Sequence, residues 1–344
     1  MIAESFPGAP FWAIAGRSEV AARMGVADRF RTVLPENELL LRHYRWLAPA
    51  YPLLVRRHRL PAADVLVSSS YAFANAFATE NRAPHVCYCY SPLRLAWTMA
   101  GDYGAHLLRG RIGTWLGRPV TAPFRALDRT AARGVTRFVA ESRFVAQQIE
   151  RFYGRDADVL WPPVDCGVFV PGEPGHDGYF LFCGRLVEPY KRPTVAVEAF
   201  RGLGARLVVA GDGPELRRLR AIAPPNVQFV GHLDDGELVP LMQRCAALVF
   251  PSRDDFGLLP VEVMACGRPV LAYRGGGAVE TVVEGRTGEF FDRQTPEALR
   301  EAVRRFDPDA YDPASIRRHA EGWRRERFSA EIERIVREVA EGHR

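Results

Sequence analysis

The stretch ALVFPSRDDFGLLPVEVMACGRPVLA, residues 247–272, contains two short apolar runs joined by a charged loop and a helical segment. The runs Ala247–Phe250 and Val270–Ala272 have the length and composition of strands buried in a parallel sheet. Seven residues separate Asp254 from Glu262, so the first carboxylate lies on the loop and the second on the helix. This order of strand, loop, helix and strand predicts a doubly wound α/β domain.

The same alternation continues over the rest of the chain, and it predicts two such domains. Further candidate strands are Val65–Ser68, Val86–Tyr90, Arg137–Ala140, Val159–Trp161, Tyr179–Cys183, Leu207–Ala210 and Val227–Val230. A Pro-rich joint and a polar stretch place the linker near residues 162–177. We therefore expect domains over residues 1–165 and 166–329 and a last helix over 330–344. The opening residues 1–8 read as a helix end and a loop, so the first domain is predicted to lack its first strand.

The composition is that of an ordinary globular protein. The chain has 344 residues, 47% of them apolar and 25% charged, which is enough for two cores. No apolar run reaches the ~20 residues that cross a bilayer, and no signal peptide is recognisable, so a cytoplasmic location is expected. The six cysteines are scattered and mostly next to apolar runs, which indicates reduced thiols. No spacing of His, Cys or acidic residues predicts a metal site.

The cations are distributed unusually. All 46 are arginine except Lys191, which stands in the segment 184–193, GRLVEPYKRP. Arg does not replace Lys where a compact charge must meet a phosphate, so this placement favours a phosphate-binding role. A surface lysine without function is the alternative.

A second charge feature lies in the first half, where residues 109–155 carry ten Arg and three acidic residues among apolar and aromatic ones. This composition suits an anionic membrane surface or a phosphorylated acceptor. A solvated Arg-rich face explains it equally well. Nucleic acid is not expected as a partner, because no helix-turn-helix, zinc finger or RNA-stacking motif accompanies the stretch.

The loop of residues 254–262 is suited to an anionic ligand. The backbone amides around Phe256, Gly257 and Leu258 are free to face an anion at a helix N-terminus. A nucleotide sugar needs amides and cations for its diphosphate and carboxylates for its hydroxyl groups. Acidic residues near a helix start also act as plain capping residues. A nicotinamide oxidoreductase is disfavoured, since no G-x-G-x-x-G follows any candidate strand.

Several segments together resemble the family 4 glycosyltransferases of GT-B fold. They are Arg185…Lys191, Gly211-Asp212-Gly213-Pro214-Glu215, Asp254-Asp255-Phe256-Gly257…Glu262 and Gly275-Gly276-Gly277-Ala278-Val279-Glu280-Thr281. In the first half, His43-Tyr44-Arg45, Cys89-Tyr90-Ser91-Pro92-Leu93-Arg94…Trp97 and Glu141-Ser142-Arg143 are similar to the branch that holds O-antigen-type mannosyltransferases. The resemblance covers residues 3 to 341.

The resemblance implies two facing Rossmann-like domains, acceptor-binding first and donor-binding second, with the last helix crossing back to the first domain. It also implies sugar transfer with retention, without a metal or other cofactor, from a nucleotide sugar, GDP-mannose first, to a glycan or lipid-linked acceptor. The catalytic residues would be Arg185, Lys191, Asp254 and Glu262. The donor would also meet Gly184, Gly211, Gly213, Asp255, Phe256, Gly257 and Leu258, and the acceptor Tyr90, Ser91 and Arg94.

The chain departs from the family pattern at two of these residues, with Asp254 where Glu is usual and Tyr90 where His is usual. A nucleotide-sugar-binding protein that has lost transfer is therefore a second hypothesis beside the active enzyme. The acidic tripeptides at 156–158 and 307–309 are expected to cap or turn the backbone rather than to hold a metal.

Overall fold

The computed structural model describes residues 2–38, 41, 51–70, 72–94, 96–98 and 111–343, without the side chains of residues 52, 53, 56 and 111–120. The chain divides into two compact units, one of residues 1–160 with 328–344 and one of residues 161–327. The boundaries predicted from the sequence lie after residues 165 and 329. None of the described helices is both long and apolar enough to span a bilayer.

The described residues of the first unit form three parallel sheets. Its strands are Phe11–Ala13 (β1), Phe30–Thr32 (β2), Arg59–Leu60 (β3), Leu66–Ser70 (β4), Ala78–Thr79 (β5), His85–Cys89 (β6), Arg137–Ala140 (β7) and Ala157–Val159 (β8). The main sheet has the order β4-β6-β7-β8, and β1 pairs with β2 and β3 with β5. The helices are Ile2–Ser5 (α1), Ser18–Arg23 (α2), Tyr51–Arg57 (α3), Arg111–Arg133 (α4) and Arg143–Tyr153 (α5).

The main sheet of the first unit is covered on both faces. Apolar side chains of β6 and β7 alternate between two clusters, one with Val86, Tyr88 and Val139 and the other with Cys87 and Phe138. Helix α5 covers the second cluster, and it begins at Ser142, whose side chain accepts a hydrogen bond from the amide of Val145.

The last helix completes the first unit. It runs over Arg325–Glu341, and its buried residues Phe328, Ile332, Ile335 and Val339 pack on the first cluster. The Arg137 guanidinium fixes the helix to the sheet edge, because it pairs with Asp158 of β8 at 2.5 Å and with Glu338 of the helix at 2.8 Å. This packing explains why residues 328–344 group with the first unit.

The second unit, which is described throughout, is built on one six-stranded parallel sheet. Its strands are Tyr179–Cys183 (β9), Arg206–Ala210 (β10), Val227–Gly231 (β11), Ala247–Phe250 (β12), Val270–Tyr273 (β13) and Gly288–Phe291 (β14), in the order β11-β10-β9-β12-β13-β14. Its helices are Pro193–Ala199 (α6), Leu216–Ile222 (α7), Asp235–Arg244 (α8), Leu258–Ala265 (α9), Ala278–Thr281 (α10), Pro296–Arg305 (α11) and Pro313–Ala320 (α12), followed by the last helix (α13).

The sheet of the second unit is buried between two apolar clusters, which include Leu181, Leu248 and Val270 on one face and Phe180, Val249 and Leu271 on the other. This is the arrangement expected of a doubly wound sheet. The predicted α/β class with parallel sheets is confirmed in both units. The lack of a first strand in the first unit stays a prediction.

Two local predictions were wrong. The strand expected over Val159–Trp161 is Ala157–Val159, and Leu160 adds only a hydrogen bond from its amide to Ala140 before the prolines that follow Trp161. The tripeptide 156–158 is consequently part of a strand rather than a cap, with Asp158 paired to Arg137. The tripeptide 307–309 does cap a turn, since the Asp307 carboxylate accepts from the amide of Asp309.

Candidate functional site

The loops that follow the central strands of the second unit carry the predicted donor residues. Strands β10, β9, β12 and β13 are neighbours and run parallel, so their carboxyl ends lie along one sheet edge. The loops after them contain Gly211 and Gly213, Gly184 to Lys191, Asp254 to Gly257, and the turn 275–277. Ligands of open α/β sheets bind at this edge.

Glycine lets the first two of these loops pack closely. A Cβ atom on Gly211 would lie 2.0 Å from the carbonyl oxygen of Gly184, and one on Gly213 would lie 2.3 Å from that of Leu186. The amide of Leu186 donates to the carbonyl of Asp212 at 2.9 Å. No side chain can enter this contact, and the backbone after β9 therefore rests directly on the turn after β10.

A tight turn positions Lys191. The Lys191 amide donates to the Val187 carbonyl at 3.1 Å, and Arg192 has left-handed backbone angles, φ 53 and ψ 40. Pro193 then starts α6, and the Glu188 carboxylate accepts from the amide of Thr194 at 3.0 Å. A non-glycine residue in this conformation costs roughly 1–3 kcal/mol, a cost that is common at functional sites. The hydrogen bonds of the Lys191 and Thr194 amides hold this turn, which places Lys191 two residues before α6.

Lys191 and Asp254 form an ion pair, with 2.5 Å between the Lys191 Nζ and Asp254 Oδ2 atoms. The Asp254 side chain is only 12% exposed. Its second oxygen, Oδ1, is buried and has no hydrogen-bond partner among the described residues. An unsatisfied buried acceptor costs about 1–3 kcal/mol, or more when charged, so this oxygen is suited to accept from a ligand hydroxyl.

The backbone of the Asp254 loop is held by the glycine turn after β13. The amide of Gly277 donates to the Asp254 carbonyl at 2.9 Å, and a Cβ on Gly276 would lie 2.2 Å from the same oxygen. Gly257 adopts φ 86 just before α9, a conformation that favours glycine. The Phe256 ring is buried in the core, so only its backbone is available to a ligand, whereas Leu258 is exposed at the start of the helix.

Glu262 lies on α9 and is half-buried. Burial, together with the nearby charge of Asp235, raises the pKa of the Glu262 carboxyl to about 7. Burial likewise raises the pKa of the Cys183 thiol to about 12, with a further increase from Glu262 and an opposing effect of Lys191. The charges of Glu262 and Lys191 thus both act on the Cys183 thiol at the end of β9.

The other predicted residues are less tightly placed. The Arg185 carbonyl accepts from the Val187 amide at 3.0 Å, whereas its side chain is exposed and its guanidinium makes no hydrogen bond or ion pair with the described part of the chain. Asp255 is buried beside Asp254 in sequence. The structure thus brings Lys191 and Asp254 together directly, and it leaves the Arg185 guanidinium in solvent on the same loop as Lys191.

The predicted acceptor residues lie in the first unit, after β6. The Tyr90 amide donates to the Ser70 carbonyl at 2.8 Å, and the Tyr90 hydroxyl bonds the Ser69 Oγ at 3.1 Å. Ser91 is buried and Arg94 is half-buried. Nearby Asn75, Trp97 and Asp128 form a buried polar group that sequence analysis did not find, because Asp128 is far from the loop in sequence and stands in an amphipathic helix.

The predicted basic surface of residues 109–155 is partly used inside the first unit. Arg125 donates to the Ala96 carbonyl and Arg129 to the Phe152 carbonyl, while Arg137 is paired with two acids and Arg155 donates to three backbone carbonyls. Residues 109 and 110 lie outside the described residues, as do the side chains of 111–120. No three His, Cys, Asp or Glu side chains among the described residues come together as metal ligands would.

Several known proteins resemble this chain. Residues 168–323 match the family described as glycosyl transferases group 1, and this range falls within the second unit. The chain is 29% identical over 241 residues to the D-rhamnosyltransferase WbpZ of Pseudomonas aeruginosa, covering 66% of this chain and 63% of that protein. It is 32% identical over 207 residues to the D-inositol 3-phosphate glycosyltransferase of Acidothermus cellulolyticus, covering 50% of this chain and 46% of that protein.

Solved structures show the fold. HepE from Anabaena, in complex with UDP, has a TM-score of 0.69 and 16% identity, covering 98% of this chain and 94% of that one. Sucrose-phosphate synthase from Thermosynechococcus elongatus has a TM-score of 0.64 and 17% identity, covering 90% and 80%. These likenesses establish the GT-B fold. The chain spans about half to under two thirds of the length of the curated relatives that it matches.

Proposed function

We propose that this protein is a retaining, metal-independent glycosyltransferase that moves a hexose, mannose in the first instance, from a nucleotide-sugar donor to a lipid-linked or polysaccharide acceptor. The observation that carries the proposal is the Lys191–Asp254 pair, with one carboxylate oxygen bound to the ammonium group and the other buried without a partner among the described residues. A binding site for a sugar next to a phosphate requires such a cation and such an acceptor.

The chemistry assigns a role to each group. The bond between the anomeric carbon and the diphosphate oxygen breaks, and the diphosphate leaves with the electron pair. The acceptor oxygen bonds the anomeric carbon on the same face, and its proton passes to the departing diphosphate oxygen. The Lys191 ammonium group, the exposed Arg185 guanidinium and the amides of residues 256–258 would meet the charge that develops on the diphosphate. Asp254 Oδ1 would accept from a hydroxyl of the transferred sugar.

Glu262 would bind the ribose of the donor. Two ribose hydroxyls donate hydrogen bonds, and a carboxylate accepts them best when it is ionised. Because the pKa of Glu262 is about 7 in the free protein, binding a nucleotide at neutral pH would drive the carboxyl to ionise. This role predicts a proton release that a capping residue would not show.

Tyr90, Ser91 and Arg94 of the first unit would bind the acceptor. We further propose that the enzyme works at the cytoplasmic face of a membrane, where a lipid-linked acceptor is found, and that anionic lipid attracts the basic surplus of the first unit. The second candidate function is nucleotide-sugar binding without transfer. The replacement of the usual family residues by Asp254 and Tyr90 favours it.

One experiment separates the two candidates. Calorimetric titration with GDP, GDP-mannose, UDP and UDP-glucose measures binding, and radiolabelled GDP-mannose or UDP-glucose with a membrane lipid extract measures transfer. Asp254→Asn and Glu262→Gln test the site, and Glu301→Gln, on the exposed surface of α11, is the control. Binding and transfer that both fall in the two site variants support the enzyme. Binding without transfer by the wild type supports the second candidate, and no nucleotide binding would refute both.

A further inference from the structure

A buried carboxylate of the first unit accepts hydrogen bonds from four donors that lie in three segments of the chain. Asp128 on α4 is 3% exposed, and its Oδ2 atom accepts from the Trp97 indole N–H and the Tyr153 hydroxyl, both at 2.7 Å. The Asn75 side-chain amide and the Leu93 backbone N–H also donate to this carboxylate. A carboxylate has only acceptor sites, about four in number, so these donors match its capacity.

Two of the four donors belong to the described residues 91–94, 96 and 97, which we call the acceptor loop. Leu93 lies near its start and Trp97 at its end, and the amides of Ala96 and Trp97 both donate to the Leu93 carbonyl, at 2.9 and 3.1 Å. The loop is therefore a compact turn with Asp128 holding it at two places. Ser91 and Arg94, the proposed acceptor-binding residues, lie on this turn.

The ring of Trp97 is clamped as well. It stacks on Phe152 of α5 with 4.7 Å between ring centroids and 15° between planes, and the Arg129 guanidinium lies 4.7 Å from its centroid. The Arg125 Nε donates to the Ala96 carbonyl at 2.7 Å. Two arginines of α4 thus reinforce the attachment that Asp128 makes.

We propose that Asp128 is a positioning residue that fixes the acceptor loop on helices α4 and α5 and thereby sets how well the acceptor binds. This inference rests on the proposed function, since it concerns the acceptor side of the same reaction. It assigns to Asp128 an effect on acceptor recognition and none on the donor, whose proposed residues are all in the second unit.

Asp128→Asn provides the test because it keeps the size of the side chain. The amide nitrogen of the asparagine brings two N–H groups into a site that already holds four donors. At least one of these four donors must therefore lose its acceptor. We expect hydrogen–deuterium exchange at the amides of Leu93, Ala96 and Trp97 to accelerate by about tenfold or more, while α9 in the second unit keeps its protection. An increase of that size corresponds to a local opening free energy lower by about 1.4 kcal/mol.

The kinetic part uses GDP-mannose as donor and octyl α-mannoside as acceptor. Asp128→Asn should raise the acceptor KM by about tenfold or more and leave the donor KM and the slow hydrolysis of the donor within about twofold of wild type. Val145→Ala opens a cavity in the buried face of α5 and serves as the control for a general loss of stability. It should leave the acceptor KM unchanged. Trp97→Phe, which removes one donor and keeps an aromatic ring, should lie between Asp128→Asn and wild type.

Two results would overturn the inference. One is wild-type exchange of the loop amides in Asp128→Asn, and the other is an equal rise of the acceptor KM in Val145→Ala, which would make the effect one of general stability. A wild-type protein that transfers sugar from neither GDP-mannose nor UDP-glucose would instead contradict the proposed function. The exchange measurement would still decide whether Asp128 holds the loop.

Discussion

Replacement of Lys191 separates its pairing with Asp254 from its proposed contact with the diphosphate. In Lys191→Met the ammonium group is lost and the Asp254 carboxylate, with a side chain only 12% exposed, stays without a counter-charge. Removing one partner of a buried pair costs about 3–5 kcal/mol, and the 26% exposure of the Lys191 side chain places this pair at or below the lower end. We therefore expect a loss of about 2–3 kcal/mol in the free energy of unfolding.

Transfer should fall further than stability explains. Loss of one preorganised electrostatic donor slows a reaction by about 10²–10³-fold, or about 3–4 kcal/mol in activation free energy. The double variant Lys191→Met with Asp254→Asn removes both charges. It should recover most of the lost stability, since no buried charge is left unpaired, but it should not recover transfer. Chemical denaturation and initial rates at saturating donor measure the two effects.

Lys191→Arg is the decisive variant. A guanidinium can pair with Asp254, so stability should stay within about 1 kcal/mol of wild type. Its planar fork cannot reproduce a compact ammonium charge beside a phosphate, and transfer should fall by about 10²-fold. If Lys191→Arg transfers sugar as the wild type does, the preference for lysine has no catalytic basis and the reasoning from composition is refuted.

Four further expectations follow from the structure. As the pH increases toward 7 and Glu262 ionises, nucleotide affinity should rise by up to about tenfold per pH unit, and calorimetry in paired buffers should show proton release on binding. Glu262→Gln should abolish the pH dependence and the proton release, and a wild-type affinity that does not depend on pH would contradict the ribose role. Burial lowers the pKa of His85 from its ordinary 6.5 to about 4, so the free energy of unfolding should fall by up to about 3 kcal/mol as the pH decreases from 6.5 to 4. A wild-type free energy of unfolding that does not change over this range would contradict the reasoning, and so would an equal decrease in His85→Gln. Gly211→Ala should destabilise the protein by about 1–3 kcal/mol and weaken nucleotide binding, whereas Gly204→Ala, with nothing within 4 Å of its Cβ, should do neither. Vesicle binding should increase with anionic lipid and decrease with salt, and indifference to both would leave only a solvated Arg-rich face.

The elements of the second unit could be read from the sequence because their signals are local. The strand Ala247–Phe250 is found where the pattern predicts it, and α8 begins with a capping box of Asp234 and Glu237. The strand Tyr179–Cys183 is likewise found at its predicted limits. A buried parallel strand needs a continuous apolar run, and a helix start needs a side-chain acceptor, so a few neighbouring residues are enough to indicate each. The predicted site residues Lys191, Asp254 and Glu262 lie in the segments that follow these two strands.

Shorter strands and contacts between distant residues were not predictable in this way. The strands Phe11–Ala13 and Phe30–Thr32 have only three residues each, too few to show a period. The ion pair of Lys191 and Asp254 joins residues that are 63 positions apart in the sequence, and the hydrogen bond between Trp97 and Asp128 joins residues that are 31 positions apart. The sequence therefore determined which segments form the sheet of the second unit and which charged residues lie in the loops after its strands. Only the tertiary structure decided that one Asp254 oxygen binds Lys191 while the other stays buried without a partner in the described chain, because that outcome depends on packing between loops that follow different strands.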